Sequence, residues 1–381
     1  MPCLDAGVAP VFSYRHVLSY LCRTKETRMA LPQIVSQPAT LSFSAMLTDI
    51  IISTEAGSGL FVLDLVISTE RANLLEETFY ASADGTITVG ELPALVEPYI
   101  QAYGRVTMEA TFTDTAGTAS ISPVTILVGA VDVGMTAQDF VSTHFLTVLD
   151  GEKITSLSRE ERLYAYDEDE ATVSADVRLP DGSFDTLTAE LQAVATEDDI
   201  SQFDVSPRKI LELLDTTGAR LLYYTVTAGQ RKQLFRCIVE QVPPEPSFLF
   251  VNSFGCEELV HCTGTLKQSS KFDRQSARIR GRLRAYQITE ERLFTANTGW
   301  LNDAMAEWVT DLLRSMEVCL WSKEGRGKHI VITDSKNECE SDDDYMPEYE
   351  ITYTYAQRTQ NIMHKRKAAR LFSEQFEEIY N

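Results

Sequence analysis

The stretch Ser247 to Thr265, SFLFVNSFGCEELVHCTGT, decides how the chain divides and what fold class follows. Immediately before it stands Val242-Pro243-Pro244-Glu245-Pro246. Proline fixes φ and removes a backbone donor, so this run interrupts regular structure and marks a joint. Beyond the joint, Phe248-Leu249-Phe250-Val251 is an aromatic and β-branched run, and Asn252, Ser253 and Gly255 supply turn chemistry; the spacing predicts strand, turn, strand. No residue here specifies a reaction, so the stretch gives architecture rather than chemistry.

Downstream, Ala277 to Ala285 alternates small or apolar residues with Arg278, Arg280, Arg282 and Arg284. Read as one strand, the stretch sends all four guanidinium groups to the same face, because successive side chains alternate. Lys267, Lys271 and Arg274 add to this basic edge. Arginine suits bidentate carboxylate contacts, so the ladder is a candidate assembly face toward Asp342-Asp343-Asp344 or toward an acidic patch on a neighbouring subunit. Leu301 to Met316 reads as an amphipathic helix, with Met305, Trp308, Val309, Leu312 and Met316 on one stripe, Asp311 elsewhere and Asn302 as its cap. Val318 to Trp321 and His329 to Thr333 form a hairpin with a glycine-rich tip, and Glu348 to Tyr355 is an alternating strand whose tyrosines face a core. His364 to Tyr380 reads as a helical tail.

Upstream of the joint, strand follows strand. Ile50 to Ile52, Leu60 to Ile67, Arg105 to Thr113 and Ile121 to Val128 are β-branched or apolar runs, with a short helix or crossover over Leu92 to Tyr103. Phe145 to Val148, Ala171 to Leu179, Thr186 to Val194, Leu221 to Thr227 and Gln233 to Val239 read as further strands. Pro180-Asp181-Gly182 and Ala228-Gly229-Gln230 are hairpin turns, and Pro207 to Leu214 is one helical turn or two. The expected fold is mainly β: two β-sandwich- or barrel-like domains over 29–133 and 134–242, an α+β module over 247–363 with one amphipathic helix, and a tail over 364–381. Residues 1–28 are basic against an acidic body, so they read as an N-terminal arm or as sequence ahead of a natural start at Met29.

The chain has 381 residues, 44% of them apolar, enough for several ordinary cores. Its net charge of −22 disfavours direct binding to nucleic acid or an anionic membrane, both of which need positive potential. No apolar run approaches the length of a spanning helix, so membrane insertion is not expected. Seven scattered cysteines read as reduced thiols of a cytoplasmically made protein rather than a disulfide scaffold. The N-terminus lacks a basic region followed by an apolar one, so a standard export signal is not expected.

Chemistry is sparse. Asp84-Gly85 followed by Glu91 imitates half of a calcium loop, but the first half places Tyr80 and Ser82 where carboxylates belong, and a β-hairpin turn at Ala83-Asp84-Gly85 is the simpler reading. The acids of Tyr166 to Glu170 are consecutive and so do not converge. Cys256, His261 and Cys262 are the nearest approach to a metal set, without the spaced second pair that zinc takes. A cysteine paired with His261, His144 or His329 is open on composition, but nothing marks one as a nucleophile. We therefore expect no enzyme activity, no catalytic residues, no metal and no cofactor.

The order Phe250 to Glu258, Thr298 to Leu301, Trp308 with Asp311 to Ser315, Ile332 to Ser335 and Tyr353 to Arg358 resembles tail-associated virion structural proteins of Bacteroidetes phages and prophages. The resemblance covers about the last third of the chain. It implies a structural component of a phage or prophage tail, made in the bacterial cytoplasm, assembling as a homo-oligomer with other tail or virion proteins and touching a surface glycan of the host. From another class, the alternative is a bacterial cell-surface adhesin or carbohydrate-binding protein.

Overall fold

The computed structural model describes residues 32–53, 62–80, 85–114, 117–132, 134–216, 218–240, 243–338 and 346–356. The N-terminal arm, Ala83-Asp84, Asp342 to Asp344 and the C-terminal tail lie outside them. The fold is mainly β, built from several largely antiparallel sheets, with the strands Glu152–Ser156 and Arg231–Ile238 paired in parallel. Two compact units partition the chain: one takes Met1–Thr40, Leu47–Pro98 and Val106–Thr125, the other Leu41–Met46, Tyr99–Arg105 and Ile126–Asn381.

The first nine strands are β1 (Gln33–Ser36), β2 (Leu41–Phe43), β3 (Ile50–Ser53), β4 (Val62–Thr69), β5 (Asn73–Tyr80), β6 (Thr86–Val89), β7 (Arg105–Thr113), β8 (Thr118–Ser120) and β9 (Val124–Leu127). In the first unit β1-β3-β6 form one sheet, while β7-β4-β5, with β8 on β7, run in another. Alternation drives burial: Val106, Met108, Ala110 and Phe112 of β7 all point inward. The turn reading at Ala83-Asp84-Gly85 is corrected. β5 pairs with β4 and β6 with β3, so the flanking strands belong to different sheets and form no hairpin. Leu92–Tyr103 is a helix that carries Pro98 inside it.

In the second unit come β10 (Glu152–Ser156), β11 (Arg162–Tyr166), β12 (Glu170–Arg178), β13 (Phe184–Gln192), β14 (Ala195–Glu197), β15 (Ile200–Asp204), β16 (Arg220–Ala228) and β17 (Arg231–Ile238). Sheet β10-β17-β16-β12-β13 and sheet β11-β15-β14 close on one core that includes Val173, Val226, Phe235, Phe203 and Leu163. That is a sandwich-like arrangement, its two inner faces supplied by period-two patterns. The helix Pro207–Leu213 adds Ile210 to the same core.

The strand expected at Phe145 to Val148 is absent. Phe145 joins the sandwich core, Leu146 a cluster with Phe43 and Phe254, and Leu149 the core of the terminal module, so near-neighbours serve three cores and the segment cannot alternate regularly.

The terminal module has β18 (Ser247–Val251), β19 (Glu257–His261), β20 (Leu266–Ile279), β21 (Arg282–Asn297), β22 (Val318–Ser322), β23 (Gly325–Glu338) and β24 (Glu348–Tyr355) in the order β19-β18-β22-β23-β24-β21-β20. The helix Asp303–Arg314 covers one face; Asn302 accepts from the Met305 amide at 2.8 Å, as its capping role requires. Met305, Trp308, Val309 and Leu312 are buried against Phe250, Val318, Tyr349 and Ile351. Two helix positions depart from expectation. Met316 lies beyond the helix end and is almost fully exposed, whereas Asp311 is buried.

Candidate functional site

The four arginines do not form a ladder. Residues 277–285 turn back on themselves: β20 ends at Ile279, Arg280 and Gly281 make the tip, and β21 starts at Arg282. Both tip residues have positive φ, 53° and 76°, the requirement of the tight turn that matches strand twist. Arg278 stands across from Leu283, Arg282 across from Ile279 and Arg284 across from Ala277. Arg278 and Arg282 therefore fall on opposite faces. The periodicity was real, but the glycine that punctuates it is a turn residue and not a strand residue.

This hairpin is long. Among the described residues β24 reaches β21 from Phe294 to Asn297, and beyond that root β20 and β21 pair with each other alone. Their register places Phe272, Arg274, Ile288, Arg278 and Leu283 on the face that carries Phe294 at the root, where Phe294 stacks on Tyr353 within the module core. The core-facing side of the sheet thus continues outward as a mixed face, its apolar side chains interspersed with Ser270, Arg274, Arg278, Glu290 and Arg292, and no layer covers it among the described residues. Phe272, Ile288 and Leu283 are 45%, 59% and 71% exposed. Between Leu266 and Asn297 stand eight Lys and Arg and three Asp and Glu, net +5; the rest of the chain carries net −27.

A cleft of about 610 Å³ lies at the root of this ribbon, with Leu266 and Phe294 on its wall. Trp321, Tyr353 and Tyr355 supply aromatic surface, and Glu160, Glu245 and Glu324 supply carboxylates. The Trp321 indole donates to Glu160 at 3.2 Å.

The candidate metal and nucleophile residues have other employment. His261 ends its strand and Cys262 follows it, and the two cysteines sit in separate cores, Cys256 with Phe43 and Phe254, Cys262 with Phe248 and Val260. The three do not converge. His261 Nε2–H donates to the Glu160 carbonyl at 3.1 Å, which leaves Nδ1 to accept from Ser247 Oγ at 2.8 Å. Burial holds its pKa down at about 4 and pushes the Cys262 thiol up to about 12. Cys319 does meet His329, Sγ to Nδ1 at 3.2 Å, as cross-strand partners. Burial raises the Cys319 pKa, away from the thiolate form that attacks. His144 stacks on Phe140. Glu168, from the acidic loop, faces the buried Arg231, which donates to the carbonyls of Val141 and Tyr166.

The residues that carried the family resemblance meet in a buried polar network, which sequence reading had not connected. Glu258 accepts from the Trp308 indole and from Asn252 Nδ2, the latter at 2.6 Å; Asn252 Oδ1 accepts from the amides of Phe254 and Cys256, both at 2.9 Å; Asp311 accepts from the Ser253 amide at 2.9 Å and from its hydroxyl. Lys153 sits 4.1 Å over the Trp308 ring and 2.7 Å from Glu161. This network ties the helix to the β18–β19 turn.

No family model matches the chain, and no curated protein does. Among solved structures, one from work on host cell surface retention of a 1.5-MDa bacterial ice-binding adhesin aligns over 77% of this chain and 93% of its own, at 9% identity and a TM-score of 0.17. That score carries no argument about fold or function.

Proposed function

We propose that this chain is a non-catalytic structural subunit of a phage or prophage tail, working through contacts made by its β20–β21 ribbon. The observation that carries the reading is the ribbon itself. A two-stranded ribbon is at best marginally stable alone, and apolar side chains as exposed as Phe272, Ile288 and Leu283 favour an interaction surface. Here those side chains are joined to a net charge of +5 on a chain otherwise at −27. A ribbon of that charge repels its own kind and is attracted to the acidic body of another copy or of a neighbouring tail protein. Host-surface contact is the other task open to such a subunit.

Two measurements test this. Light scattering coupled to size-exclusion chromatography, over a range of concentrations at low and high salt, should show a discrete oligomer that salt weakens. Mass spectrometry of purified phage or induced prophage particles should find the chain in the tail. A monomer under every condition, together with absence from particles, overturns the proposal.

A further inference from the structure

The structure assigns the aromatic and acidic cleft at the root of the ribbon as the receptor for the ribbon tip of a second copy of this chain; the assignment rests on the assembly reading above. Three observations converge on it. The tip, Arg278 to Arg284, is the most concentrated positive charge in the described residues, and its Leu283 is exposed. The cleft offers Glu160, Glu245 and Glu324, all exposed, against one lysine, Lys323, and a His261 held neutral by burial. Trp321 and Tyr355 give it an apolar wall suited to a leucine side chain, with Arg162 already 4.8 Å over the Trp321 ring and Lys328 4.4 Å over the Tyr355 ring.

Length decides whose cleft it is. Leu266, on the cleft wall, and Arg280, at the tip, are joined by a 14-residue strand. At about 3.3 Å per residue the tip stands roughly 45 Å from its own cleft and cannot fold back into it. The contact is therefore between different surfaces of two copies, head to tail. Such a contact closes into a ring or runs on as a filament according to the rotation between copies.

The test uses the full chain and two variants. Arg280→Glu with Arg282→Glu spoils the ribbon; Glu160→Gln, Glu245→Gln and Glu324→Gln together spoil the cleft. All five positions are exposed, so circular dichroism and melting temperature should match the wild type. Each variant alone should associate about tenfold or more weakly than the wild type in sedimentation velocity. Mixed, they should form a 1:1 complex that stops at two chains, because only the ribbon of one and the cleft of the other are intact. If the cleft variant assembles like the wild type while the ribbon variant does not, the cleft assignment falls and the assembly reading stands. If neither variant changes the mass of the wild-type oligomer, or the wild type is monomeric throughout, both fall.

Discussion

The indole N–H of Trp308 donates to the carboxylate of Glu258 inside the core of the terminal module. Burial raises the Glu258 pKa, and Lys153, Asn252 and Trp308 itself oppose that rise. Trp308→Phe removes one donor from a buried acceptor and leaves a smaller ring. The expected loss is about 2–4 kcal/mol in urea denaturation, the sum of an unsatisfied acceptor and a partly filled cavity. Adding Glu258→Gln should recover part of it, with a coupling of roughly 0.5–3 kcal/mol. Strict additivity of the two substitutions would show that the bond contributes nothing.

His261 makes stability depend on pH in a defined window. Its folded pKa is about 4 against 6.5 for a free side chain, with burial the largest cause. Between those values the unfolded chain binds more protons than the folded one, so the stability it contributes is complete above about pH 6.5 and is lost as pH falls toward 4. Allowing for partial exposure, the loss is about 2 kcal/mol. Thermal melts at intervals across this range should show a shallower slope for His261→Gln; equal slopes would assign the dependence to other groups.

The ribbon should behave as a separate layer of stability. Amide hydrogens from Ser270 to Arg292 should exchange far faster than those of the central strands β18 and β22. Replacing residues 270–292 by a short glycine-containing turn should leave the melting temperature within a few degrees. A large drop would mean that the ribbon supports the module instead of extending from it.

Gly281→Val places a β-branched residue at φ 76°. The expected cost is about 1–2 kcal/mol, confined to the hairpin. It should appear as faster exchange near the tip and weaker self-association, with no change in the melt of the body.

Much of the β architecture was legible because alternation was clean. In β12 every second residue, from Ala171 to Val177, is buried. The strand Glu152–Ser156 was not legible because its inward positions are Lys153 and Thr155, a charge paired with buried Glu161 in place of an apolar side chain. The arginine alternation misled for a local reason: period two continues through a two-residue turn when the turn contains a glycine, and only the positive φ at Arg280 and Gly281 reverses the chain. Asp311 was assigned to the wet face of its helix because its partners, the amide and hydroxyl of Ser253, come from a turn 58 residues away. The cleft was invisible because its wall is collected from stretches as far apart in the sequence as Ser158 and Tyr355.

The segment from Phe145 to Leu149, which feeds three cores, has a consequence for heredity. Recombination that exchanged only the chain beyond the proline-broken joint would bring in a helix whose Trp308 no longer found Lys153 above it and a core without its own Leu149. Such hybrids would be selected against, so the two stretches on either side of the joint should descend together, as one inherited block, whatever becomes of the strands ahead of them.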